Sequence, residues 1–157
     1  MAESANTDAG EPERRAAAFR RARAAHAAEA AEDYVELIAD LIAEAGAARL
    51  TDVAGHMGVS AATAAKVVQR LAREGLIDTR PYKSLRLTPA GSAMAERARA
   101  RHEVVRDFLL ALGVDRRTAE LDSEGMEHHV SDETLGLLRR FTEERSRLDQ
   151  DLAKAKS

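Results

Sequence analysis

Large apolar residues recur along most of this chain with a helical period, and over one short stretch they alternate instead. Tyr34, Leu37, Ile38, Leu41 and Ile42 follow the spacing of a buried helix face, and Gly46 stands where such a helix would stop. A short helix over 51–57 follows. Gly58-Val59-Ser60 then leads into a third helix over 61–74, with Val67, Val68 and Leu71 on its apolar side and Gly75 after it. Thr51 and Ser60 are suited to N-cap positions. Two short helices joined by a tight Gly-containing turn predict a helix-turn-helix. After Gly75 the segments 76–80 and 85–88 flank Pro81-Tyr82-Lys83-Ser84, which predicts a small hairpin, the wing of a winged helix. Thr88-Pro89 pairs an N-cap with a proline at the first helical position, opening a long helix that runs to Leu112 and ends at Gly113. Two more helices are expected, over 115–130 and 131–147.

The ends read differently. Residues 1–12 are small and polar and predict disorder. Residues 13–30 are Ala, Arg and Glu with Phe19 and His26, helical by propensity but with little to bury, so a flexible or partly helical arm is expected over 1–30. The tail 149–157 is polar and expected to fray. The expected organisation is mainly α: a winged helix-turn-helix domain with a two-stranded wing over 31–90, then a helical domain over 91–148.

Composition narrows the chemistry. With 157 residues, 3% aromatics and no cysteine, the chain has no disulfide, thiolate metal site or cysteine nucleophile. No apolar run is long enough to span a membrane, and no secretory signal is visible, so a cytoplasmic protein without a membrane partner is expected. The net charge of −3 argues against a globally basic nucleic-acid binder but leaves room for a local patch.

Such a patch lies on the helix-turn-helix. Residues 60–86 carry Lys66, Arg70, Arg73, Arg80, Lys83 and Arg86 against Glu74 and Asp78 alone. Lys66, Arg70 and Arg73 share one helix face, away from Val68 and Leu71. A helix with one buried stripe and one cationic face suits a DNA major groove, with Ser60, Thr63 and Gln69 available for further hydrogen bonds. Arg80, Lys83 and Arg86 fall at the wing, within reach of phosphates. Taken without that context, six cations would be an ordinary solvated face.

Acids and histidines collect in three other places. Asp33 and Glu36 stand at i and i+3; Arg101-His102-Glu103 lies inside the long helix; and Glu124, Glu127 and His128 stand at i, i+3 and i+4 on the expected helix over 115–130. Carboxylate pairs at such spacing are ordinarily solvated surface, and a single histidine is ordinarily packed or exposed. Acid–histidine clusters on inward helix faces are also how helical folds build metal sites.

In order and spacing, DYVELIADLI, HMGVSAATAAKVVQRLAREGLI, RHEVVRDFLLALGVD and EGMEHHVSDETL resemble the diphtheria-toxin-repressor family of metal-dependent transcriptional regulators, and within it the manganese-sensing branch. The resemblance covers residues 30–142. It implies a homodimer that binds double-stranded operator DNA, and a metal site between the two domains. Asp33, Glu36, His102, Glu124, Glu127 and His128 match that branch's ligands. It further implies two ions per subunit, with Glu36 and Glu127 helping to bridge them, and repression of manganese uptake. The resemblance implies no enzyme. Four carboxylates and two imidazoles suit a hard ion such as Mn²⁺, with Fe²⁺, Co²⁺ and Zn²⁺ as competitors. Ser60-Ala61-Ala62 departs from the family in lacking the proline often found at the start of the recognition helix. The alternatives are an iron-responsive regulator of the same family, a metal-dependent hydrolase, and a winged-helix regulator that answers to an organic ligand.

Overall fold

The computed structural model describes residues 11–79 and 84–155. Six helices and one two-stranded antiparallel sheet follow in the order α1 (Glu11–Ala45), α2 (Leu50–His56), α3 (Ala61–Arg73), β1 (Ile77–Asp78), β2 (Arg86–Leu87), α4 (Pro89–Leu112), α5 (Arg116–Met126), a single 3-10 turn (Glu127–His129) and α6 (Asp132–Ala155). The mainly α winged-helix architecture expected from the sequence is present.

The helix-turn-helix forms for the local reasons the sequence offers. Ser60 caps α3 by accepting a hydrogen bond from the Thr63 amide at 3.1 Å. Gly58 and Gly75 both take positive φ, which ends α2 and α3 without the strain a side chain would bring. In the wing, Ile77 pairs with Leu87 and Asp78 with Arg86, and a bridge from Ala48 to Leu85 extends the pairing back to the segment after α1. The wing tip, with Arg80 and Lys83, lies outside the described residues.

Two hydrophobic cores share one helix. The first gathers Tyr34, Val35, Ile38 and Leu41 of α1 with Val53, Val68, Leu71, Ile77, Leu85 and Ala95. The second gathers Val105 and Leu109 of α4 with Ala119 and Leu135. α4 therefore belongs to both, and His102 lies on it between the two.

Three elements differ from the sequence reading. The segment 13–30 is not separate from the first predicted helix: α1 is continuous from Glu11, because an Ala-, Arg- and Glu-rich run propagates a helix already nucleated by the core. The expected helix over 115–130 breaks after Met126, and the chain tightens into the 3-10 turn. Glu127 and His128 therefore do not continue the α5 face that carries Glu124. α6 runs to Ala155, well past the expected end at 147.

The two parts are pinned where α4 begins. The Thr88 hydroxyl donates to the Gly75 carbonyl at 2.6 Å and accepts from the Gly91 amide at 3.1 Å. Gly91 is buried, and a Cβ there would run into the Leu76 carbonyl. Gly91→Ala should therefore cost about 1–3 kcal/mol through overpacking, while Gly136→Ala, where a Cβ meets nothing, should not destabilise. Urea denaturation of the two variants checks this; equal midpoints would refute the close approach.

Candidate metal centre and nucleic-acid interface

The six expected ligands fall between the two cores. α1 presents Asp33 and Glu36, α4 presents His102, the end of α5 presents Glu124, and the 3-10 turn presents Glu127 and His128. His102 Nδ1 is 2.7 Å from Glu127 Oε2 and 3.8 Å from Glu124 Oε1. His128 Nε2 is 3.3 Å from Asp33 Oδ1 and 3.6 Å from Glu127 Oε1. Glu127 is thus the centre, with one carboxylate oxygen toward each imidazole, and its side chain is only 4% exposed. Glu36 has no direct bond in the cluster; it feels the fields of Arg99, His102 and Glu124. Glu124 remains largely exposed at the rim.

The structure adds residues that the sequence motifs do not single out. Glu32 stands 2.9 Å from His128 Nδ1, and Glu120 stands 3.2 Å from His102 Nε2. The buried Oε1 of Glu29 lies 3.2 Å from His129 Nε2, yet it has no hydrogen bond among the described residues. Spacing could have found all three: Glu29, Glu32, Asp33 and Glu36 share one face of α1, and Glu120 and Glu124 share one face of α5.

Arg101 holds the turn in place. Its guanidinium donates to the Glu127 carbonyl from Nε and NH2, at 3.2 and 2.7 Å, to the Val130 carbonyl at 2.6 Å, and to Asp132 at 2.9 Å. One side chain on α4 therefore takes up the backbone carbonyls at both ends of the segment that carries Glu127 and His128. Methionine at 101 preserves length and removes these donors. Arg101→Met should lower divalent-metal affinity about 10- to 100-fold, the range for losing such a supporting group. Calorimetric titration checks it; unchanged affinity would show that the turn holds without the guanidinium.

The electrostatics favour a cation. Burial raises the Glu127 carboxyl to about 6, although both histidines oppose the shift. Burial also raises Asp33 and Glu36, with neighbouring carboxylates adding to it. For His102, burial pulls downward, but the bond to Glu120 and the charge and bond of Glu127 win and the pKa rises. His128 rises in the same way, with burial overcome by Glu32, Asp33 and Glu127. Five groups in one cluster thus hold protons more tightly than in an unfolded chain. A pocket that retains protons at acids and imidazoles alike is short of positive charge, and its donors are oxygen-rich with two imidazoles. That donor set fits a divalent ion, although among the described residues no three donors are arranged as a ready-made cage. Each histidine is instead spent on carboxylates.

The sign of the pH dependence follows. The histidines stabilise the fold fully below about 6.5 and lose this as pH rises through their raised values. The carboxylates add no penalty below their ordinary values, and their full penalty above the raised ones, about 6 for Glu127. Both trends point the same way, so metal-free protein should melt at progressively lower temperature from pH 5 to 7.5. Glu127→Gln should flatten that profile, and Mn²⁺ should restore stability at the upper end. A melting temperature that rises over this range would contradict the cluster's reading.

The helix-turn-helix presents a second surface. Thr63, Lys66, Gln69 and Arg73 are exposed on α3, Ser60 is exposed at its N-cap, and Arg86 is exposed on β2. Arg70 does not stand with them as a free cation. It is partly buried, donates to the Ala27 carbonyl of α1 at 3.0 Å, and sits 3.7 Å from Glu74. The hydroxyls of Ser60 and Thr63 also bond each other at 2.9 Å.

A winged helix beside an acid–histidine pocket that joins it to a second helical domain defines a metal-dependent DNA-binding regulator. Comparison with known proteins places the chain in one family. Residues 26–85 match the model described as "Iron dependent repressor, N-terminal DNA binding domain". Residues 88–149 match "Iron dependent repressor, metal binding and dimerisation domain". The chain belongs to this family of metal-dependent transcriptional regulators, as the resemblance in its motifs implies.

Among its relatives is the protein named transcriptional regulator MntR of Escherichia coli O6:H1, 51% identical over 80% of this chain and 81% of that protein. The protein of the same name from Salmonella typhimurium is 50% identical over 80% of each chain. The HTH-type transcriptional regulator MntR of Lysinibacillus sphaericus is 40% identical over 64% of this chain and 72% of its own length. A solved structure titled as a manganese-dependent transcriptional repressor complex with manganese superposes with a TM-score of 0.62 at 28% identity, covering 71% of this chain and 52% of that one. The manganese regulator SloR gives a TM-score of 0.62 at 26% identity, again over 71% and 52%. The chain spans about half the length of these solved structures. Among the described residues no helix is long and apolar enough to cross a membrane.

Proposed function

We propose that this chain is a manganese-responsive, operator-binding regulator whose metal pocket lies between its two domains. The single observation that carries the reading is Glu127, a carboxylate buried between His102 of α4 and His128, with Asp33 of α1 across the latter. Asp33, Glu36, His102, Glu124, Glu127 and His128 would hold the metal, two ions per subunit in keeping with four carboxylates. A divalent ion would supply positive charge to a cluster in which Asp33, Glu36, His102, Glu127 and His128 all have raised affinity for protons. The names of the relatives support manganese, and family membership favours a regulator over a hydrolase. The iron-responsive alternative differs in donor hardness, and Asp33 is an oxygen donor.

The chain's own residues carry the response. Asp33 and Glu36 belong to the helix that backs the DNA-binding core, while His102 and the 3-10 turn belong to the second domain. Drawing these together fixes one domain against the other. Metal and DNA binding are then reciprocally coupled. A dimer would set two copies of α3 about 34 Å apart, one turn of the duplex. Its interface is best accounted for by the exposed apolar residues of the second domain: Leu112, Leu121, Leu137 and Phe141.

The test is operator binding to DNA from the chain's own promoter region, titrated anaerobically with Mn²⁺, Fe²⁺ and Zn²⁺. Mn²⁺ should raise affinity by at least the 5- to 150-fold range of such coupling. Asp33→Met replaces a hard oxygen with a thioether, so it should lower the Mn²⁺ response more than the Fe²⁺ response. An unchanged ratio of the two responses would remove Asp33 from the ligand set.

A further inference from the structure

α1 begins well before the family's DNA-binding domain. That domain starts at residue 26, and α1 starts at Glu11. The extra helix is not packed on the body: from residue 11 to residue 26 every side chain is exposed except Ala17, which is partly so. A helix that buries nothing gains no stability from the fold, so its composition is the guide to what it meets.

That composition is cationic. Residues 11–26 hold Arg14, Arg15, Arg20, Arg21 and Arg23 against Glu11 and Glu13, on a chain with net charge −3. Arg14 and Arg15 share Glu11, at 3.0 and 3.7 Å. Arg20, Arg21 and Arg23 make no ion pair among the described residues. Three like charges within four positions repel one another, and among the described residues no acid on the body pairs with them.

The root of the extension is tied to the recognition helix through the Arg70 bond to the Ala27 carbonyl. Arg23 and Arg20 precede Ala27 by four and seven positions, so they continue the stripe of α1 that faces α3. Lys66 and Arg73 are exposed on α3 itself. Exposed cations of the recognition helix and of the extension thus lie on two helices joined at Ala27, with Glu74 beside Arg70 and Arg21 about a third of a turn round α1 from the stripe of Arg20 and Arg23. At about 1.5 Å per residue Arg23 and Arg20 stand about 6 and about 10 Å along the helix from Ala27, the rise of roughly two to three base pairs of duplex.

We propose that this extension, through Arg20, Arg21 and Arg23, grips the phosphate backbone of duplex DNA flanking the stretch that α3 reads. The proposal rests on the DNA-binding reading above and adds to it a sequence-independent contact outside the helix-turn-helix. Arginine suits phosphate because its planar fork donates two parallel hydrogen bonds.

The experiment uses the full chain with Mn²⁺ and two duplexes from its own promoter region, one trimmed to the protected site and one with about ten base pairs added on each side. Anisotropy titrations over a range of KCl compare wild type with the triple variant Arg20→Gln, Arg21→Gln, Arg23→Gln. Glutamine keeps helix propensity and removes the charge. Wild type should bind the flanked duplex more tightly than the trimmed one, and the variant should not. On the flanked duplex the salt slope should become shallower by roughly two to three, at about 0.9 for each phosphate no longer neutralised. Affinity near 0.15 M salt should drop by about tenfold or more. Circular dichroism and Mn²⁺ calorimetry should be unchanged, since these residues touch neither core nor pocket.

Equal slopes and equal dependence on the flanks in both proteins would overturn the arm's role alone. So would a variant that loses its dimer in sedimentation, which would assign the extension and its exposed Phe19 to a second copy of the chain. Selective loss of binding to anionic vesicles, with DNA binding intact, would assign it to a lipid surface instead. Absence of metal-dependent DNA binding in both proteins would overturn the regulator reading, and this proposal with it.

Discussion

A carboxylate as deeply buried as that of Glu127 is unfavourable in its charged form unless positive charge is brought to it. Much of the surrounding structure answers that requirement. His102 and His128 approach it from either side, and the acids Glu120, Glu32 and Asp33 in turn hold those imidazoles. The turn that carries Glu127 is held from α4 by Arg101, and α4 carries His102 as well. Burial, charge and backbone placement converge on one side chain contributed by the second domain and adjoined, through His128, by the first. An electrostatic deficit at a domain boundary is a means of making domain arrangement depend on cation supply.

Much of this is legible in the sequence, and the exceptions have physical reasons. The helix-turn-helix, the wing and the start of α4 are set by local signals: Ser60, Gly75, Thr88 and Pro89 act on their immediate neighbours. Those signals survive folding because the core agrees with them. The break after Met126 is not legible. The turn that replaces the helix there is held by the guanidinium of Arg101, which reaches across 26 positions to take its carbonyls, and no local spacing announces such a contact. The continuity of α1 is not legible either, because an exposed Ala- and Arg-rich run carries no periodic signal even when its propensity is high.

The site shows the same division. The ligand set expected from the motifs is brought to one place, but Glu32 and Glu120 stand closer to the histidines than Glu124 does. Helical spacing places them on the right faces; it does not say which acid each imidazole chooses. Arg70 is the converse case. Its spacing puts it with Lys66 and Arg73, yet a backbone carbonyl 43 positions earlier takes its donor. Spacing assigns a face, and tertiary neighbours then decide what is left over for a ligand.

The junction at the start of α4 has a mechanical consequence. Thr88 bonds backward to Gly75, and Gly91 leaves no room for even a methyl group against the Leu76 carbonyl. There is no play between α4 and the strand that follows the recognition helix. His102 lies 14 positions along the same rod, about 21 Å away. A tilt of a few degrees pivoting near His102 would therefore carry the wing sideways by one or two ångströms, with no slack to absorb it.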